Sequence, residues 1–185
     1  VSGMGYLTVI LFLPAAGAAL IAFVLASRPR MIKWTAAIFT FVPLALAIIL
    51  FSLFDRSPAA AGLIQFEEKA LWIAPINAYY HLGVDGLSMP LVLLTAFLGF
   101  LAVLISWKVN VRVREYFAWL LLLETSILGV FLSLDLLLFF IMWEIEVIPM
   151  YFLINIWGSG RKEYSAMKYV VYTLFGSAFM LAGIL

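Results

Sequence analysis

Six apolar runs of about twenty residues, separated by shorter stretches that gather most of the charge, decide what this chain can become. A helix of that length is roughly 30 Å long, the thickness of a hydrocarbon core. The runs fall at about 5–26, 34–54, 87–107, 116–134, 136–156 and 165–185. They predict an all-α, polytopic transmembrane bundle forming a single membrane domain over 1–185. With 66% hydrophobic and 11% charged residues, a soluble domain could not hide its own apolar surface. The first run lacks a basic flank before it and is long enough to span, so it reads as a span and not as a signal peptide. The sequence opens at Val1 and stops at Leu185 inside an apolar run, as expected of a piece of a longer chain.

The charges outside the runs set an orientation. With the N-terminus outside, one face collects Arg28, Arg30, Lys33, Lys108, Arg112, Arg114, Arg161 and Lys162, and the other only Arg56 and Lys69. The basic loops then lie in the cytoplasm or its equivalent. Trp34, Trp107 and Trp157 sit at span ends, where an interfacial belt wants them. These loops read as topology determinants rather than as a nucleic-acid site. The mixed charge and aromatic content of Asp55 to Gly86 predicts ordered surface structure of unspecified type. Cysteine is absent, which excludes disulfides, thiolate metal sites and cysteine-bound iron–sulfur clusters. The single histidine, His81, reads as a surface or interface residue, because no second histidine exists to complete a metal site.

The fifth run, Leu136 to Gly158, carries Glu144 and Glu146 near its middle and Pro149 soon after. Asp135 just before it is a candidate N-cap. Glu144 lies about 13 Å from the near end of the helix, almost at the midplane. An ionised carboxylate there costs at least about 2.5 kcal/mol unless it is protonated, paired or wetted. Pro149 gives the carbonyl of Ile145 no N–H, so the helix is expected to bend or open beside Glu144. A protonatable group beside loosened backbone suits a buried proton path. The competing reading is a carboxyl that only glues helices together by hydrogen bonding. Glu124, on the fourth run, shares this depth, and Glu146 lies about 200° round the helix from Glu144. Both are weaker candidates for the path. Lys168 sits about one turn into the sixth run, shallow enough to snorkel to the interface.

Three stretches carry a resemblance: Tyr80 to Pro90, the run GVFLSLDLLLFFIMWEIEVIPMYFLINIWG, and KYVVYTLFGS. Together they resemble subunit M (chain 4) of the proton-pumping NADH–quinone oxidoreductase, respiratory complex I. The likeness runs from about Gly5 to Leu185. It implies an antiporter-like subunit of fourteen helices with an external N-terminus, in the bacterial plasma membrane or an equivalent energy-coupling membrane. It also implies that Glu144, after Trp143, is the helix-five carboxylate that pairs with a lysine on helix seven to drive proton movement. Glu146 falls where many relatives are apolar, although photosynthetic-type relatives also show a second glutamate. The chain would cover about the first third of such a subunit, without the lysines of helices seven and eight or the exit-side residue of helix twelve. No cofactor is expected in this chain. NADH, FMN, iron–sulfur clusters and quinone are implied in other subunits, and the implied partners are neighbouring antiporter-like subunits and the lipid bilayer. A sodium/proton antiporter subunit and a membrane-bound hydrogenase subunit share the helix-five glutamate and stand as alternatives. A membrane scaffold with no ion path is the alternative of another class.

Overall fold

The computed structural model describes residues 5–23, 28–57 and 62–184. Its helices are α1 (Tyr6–Phe23), α2 (Pro29–Leu53), α3 (Ser88–Ile105), α4 (Val113–Leu132), α5 (Leu136–Trp157) and α6 (Lys162–Ile184). Each is long and apolar enough to cross a membrane. Between α2 and α3 stands an antiparallel hairpin of β1 (Gln65–Ile73) and β2 (Ala78–Val84), which gives the polar segment its form.

The second helix starts at Pro29, ahead of the residue-34 start expected from the apolar run. Proline suits a first turn, because its φ is preset and its missing N–H would find no partner there anyway. Lys33 therefore lies on a helix and not in a loop. It is buried, and its Nζ donates to the Trp107 carbonyl at 2.7 Å and to Asn110 Oδ1 at 3.2 Å. A cation thus satisfies an otherwise unpaired carbonyl just beyond α3. The three tryptophans gather at this same end: Trp34 and Trp107 meet edge to face, and Trp157 Nε1 donates to the Val111 carbonyl at 2.9 Å.

The bundle is organised around α4, which packs against α1, α2, α3 and α5, while α6 rests along α5 with few of its residues buried. Lipid gives no hydrophobic drive between helices, so close approach and van der Waals packing must hold them. Gly129 shows how: a Cβ there would stand 2.6 Å from Met142 Cγ, so only glycine lets α5 come this near α4. The buried apolar side chains form two layers. One, at the hairpin end, includes Leu11, Leu50, Leu82 and Leu132; the other, at the tryptophan end, includes Ile21, Ile32, Val103 and Phe117. Between them on α4 lie Glu124, Thr125 and Ser126, all buried. The hydroxyls of Thr125 and Ser126 donate to carbonyls of their own helix, Leu121 and Leu123. The carboxyl of Glu124 does not share that solution.

The hairpin is bolted to two helix ends. Glu68 on β1 accepts from the backbone N–H groups of Leu7 (2.8 Å) and Thr8 (3.1 Å), and from the Thr8 hydroxyl. An acceptor at the positive end of α1 satisfies donors that the helix cannot pair itself. At the other attachment, the Leu134 N–H donates to the His81 carbonyl and Leu82 bridges to Ser133. Asp135 completes it: Oδ1 accepts from the N–H groups of Leu137 and Leu138, capping α5, while Oδ2 accepts from Tyr79 N–H on β2 at 3.0 Å. His81 itself turns to Glu67, with Nε2 and Oε1 2.6 Å apart.

Candidate functional site

Glu144 sits eight residues into α5 and Glu124 eight residues before the end of α4. Both are therefore about 12 Å from the hairpin-side ends of their helices. They share a depth, and no hydrogen bond joins them. The carboxyl of Glu124 lies against α3, where a Cβ on Gly99 would stand 2.6 and 2.7 Å from its two oxygens. Glu146, two residues further along α5, is half-buried. Glu144 is half-buried, and its Oε1 is enclosed with no hydrogen-bond partner. Among the described residues, Oε1 of Glu124 is the other enclosed side-chain oxygen left unpartnered.

The fifth helix runs without a break from Leu136 to Trp157, with Pro149 buried inside it. The expected opening of the backbone does not take the form of an interruption. Proline still removes one N–H, so the Ile145 carbonyl lacks its usual intrahelical donor one residue after Glu144. An enclosed carboxyl oxygen without a donor is costly when charged and comfortable when neutral, paired or hydrated. Such a group can take up and release a proton as its surroundings change. Lys168 does not supply the missing cation, since its Nζ stands over the ring of Tyr172 on its own helix. No group of three or more potential metal ligands forms among the described residues.

Residues 133–185 match the sequence model of the family described as NADH:quinone oxidoreductase/Mrp antiporter, transmembrane. That stretch includes Asp135, Glu144, Glu146 and Pro149. The NADH-quinone oxidoreductase subunit M of Rhodobacter capsulatus is 42% identical over 179 residues, covering 95% of this chain and 34% of the relative. The chain belongs to the NADH–quinone oxidoreductase chain 4/subunit M family. An NAD(P)H-quinone oxidoreductase chain 4 from Picosynechococcus is 39% identical over 180 residues, which is 97% of this chain and 32% of that protein. The chloroplastic chain 4 of Chaetosphaeridium globosum is 36% identical over 181 residues, 98% of this chain and 35% of that protein. The chain thus spans about a third of the length of these curated relatives. Among solved structures, the membrane-bound sulfane sulfur reductase, an archaeal respiratory membrane complex, contains a chain that superposes with a TM-score of 0.79. It is 24% identical and covers 96% of this chain and 36% of its own, a likeness of fold. Membership in this family and the six apolar helices make the chain part of an integral, multi-pass membrane protein.

Proposed function

We propose that this chain is part of a proton-translocating subunit of a quinone oxidoreductase complex, in which Glu144 binds and releases the translocated proton. The observation that carries this reading is the enclosed, unpartnered oxygen of Glu144 halfway along α5. A carboxyl that only joined helices by hydrogen bonding would have a partner for that oxygen, and it has none. The relatives named as quinone oxidoreductase subunits support the complex; redox cofactors and the quinone then belong to other subunits, and neighbouring membrane subunits are the partners. A cation from helices beyond residue 185 is the counter-charge that the resemblance assigns to Glu144. Proton pumping per quinone reduced, measured in the assembled complex carrying Glu144→Gln, tests this reading. The family model also takes in Mrp antiporters, and a dependence of transport on sodium instead of quinone reduction would favour that reading.

The proposed orientation places the N-terminus, the hairpin and Asp135 outside, because eight cations mark the opposite face and two mark this one. The chain has no cysteine of its own. A Ser57→Cys variant is expected to react with an impermeant thiol reagent added outside the membrane. Reaction from the cytoplasmic side alone would reverse the orientation.

A further inference from the structure

A cavity of about 230 Å³ lies between α3 and α4. Its walls include Thr95, Gly99 and Ala102 on one side and Leu120, Glu124 and Ile127 on the other. Glu124 is 4% exposed, and its Oε1 has no hydrogen-bond partner. It is the one titratable group lining the cavity. The helices around α4 bring it no counter-charge: α1 and α3 carry no Asp, Glu, Lys or Arg, and the cations of α2, Arg30 and Lys33, are confined to its start at the tryptophan end. On α5 the charged residues are the acids Glu144 and Glu146, which supply no counter-charge, and Glu144 makes no hydrogen bond with Glu124.

We propose that this cavity is a hydrated proton-binding site, with Glu124 as its protonatable group and Gly99 as the residue that makes room for it. The inference rests on the reading that the chain moves protons, and it adds a second station on the α3 side of α4. A lipid tail in the cavity would leave the buried carboxyl oxygen without a donor, whereas water supplies one. The space suffices for several waters at about 30 Å³ each. Thr95 Oγ1 donates to the Leu91 carbonyl at 2.8 Å and keeps its lone pairs for a water. With both oxygens of Glu124, it provides the two to four polar contacts that a buried water needs.

Gly99 acts through geometry. Any Cβ at this position would enter the volume that the carboxyl occupies, at 2.6 and 2.7 Å from its oxygens. Alanine there must push the carboxyl aside or out of the cavity, so Gly99 is a positioning residue.

Infrared difference spectra of the assembled complex, in H2O and D2O and across pH, test the site, with Glu124→Gln identifying the band. The wild-type band lost in Glu124→Gln is expected to shift in D2O and to titrate reversibly between carboxyl and carboxylate. Gly99→Ala is expected to move that band, and to alter the pH profile of pumping only while Glu124 is present. A band that neither shifts nor titrates means a dry, inert carboxyl and overturns the proposal. Equal effects of Gly99→Ala with and without Glu124→Gln would reduce Gly99 to helix packing. If Gly99→Ala blocks assembly, the isosteric Glu124→Gln still decides whether the site is hydrated. The spectra need no pumping, so an exchanging Glu124 in a complex indifferent to Glu144→Gln would sink the Glu144 reading and leave this site standing.

Discussion

Glu144→Gln is expected to lower the rate of proton pumping by about 100-fold or more, the lower end of what a positioned acid–base group contributes. Glutamine keeps the shape and the acceptor oxygen of the side chain but has no titrating proton. Packing on α4 and α6 should survive, so matched assembly levels separate lost chemistry from lost folding. Glu124→Gln and Glu146→Gln are expected to cost less, since one lies in its own cavity beside α3 and the other has no enclosed, unpartnered oxygen. Glu144→Asp keeps the proton but shortens the reach by one methylene, and an intermediate loss is expected. Unchanged pumping in Glu144→Gln would leave the scaffold reading in possession of the field.

Asp135→Ala is expected to be the most damaging change outside the membrane. One carboxylate there serves three backbone N–H groups, two of α5 and one of β2. Losing the cap costs about 0.5–2 kcal/mol, and an unpaired Tyr79 N–H adds about 1–3 kcal/mol where water cannot reach it. Hydrogen exchange at Tyr79, Leu137 and Leu138 should quicken by about tenfold or more, the equivalent of about 1.4 kcal/mol. The same carboxylate carries a pH signature. Partial burial pushes its proton affinity up, but the N–H donors of Tyr79, Leu138 and Leu137 and the nearby His81 outweigh that, holding it below the usual aspartate range. A carboxylate lowered on folding stabilises fully above about pH 4 and stops doing so as the pH falls through its folded value. The attachment should therefore loosen in acid. Asp135→Asn, still a good cap but unable to titrate, should show no such acid step. Protection at Tyr79 that is the same at acid and neutral pH in the wild type would remove Asp135 as its source.

What could be read from the sequence divides along physical lines. Span number followed from run length, because a bilayer fixes how many apolar residues a helix must have. The depth of Glu144 followed from counting 1.5 Å rises from Asp135, whose capping role the short turn made visible. The start of α2 was misplaced because Arg30 and Lys33 looked like loop cations, and only tertiary structure reveals that Lys33 reaches the end of α3. The hairpin was hidden because QFEEKALWI alternates imperfectly, and its register slips twice against β2. Facing was the deeper gap. Helix rotation decides whether Glu124 meets α5 or α3, and sequence gives no rotation. Gly99 held the one usable signal, a small residue inside an apolar helix that marks a close approach.

The clamp of Glu68 on α1 joins residues 61 positions apart. At roughly 5–20 residues per second of synthesis, Glu68 follows Leu7 by about 3–12 s. During that interval α1 can sit in the bilayer, but its N-terminal end has no acceptor from β1 and is free to tilt or slide. In the proposed orientation, with the hairpin outside, the order of biogenesis is then set by export of the hairpin. The first span is locked in place only after the segment following the second has crossed the membrane, and Asp135 can lock the hairpin in turn only after a further 56 residues separate it from Tyr79. A delay in translocating the hairpin would leave α1 as the loose end of a half-built bundle, exposed to the membrane's quality-control proteases.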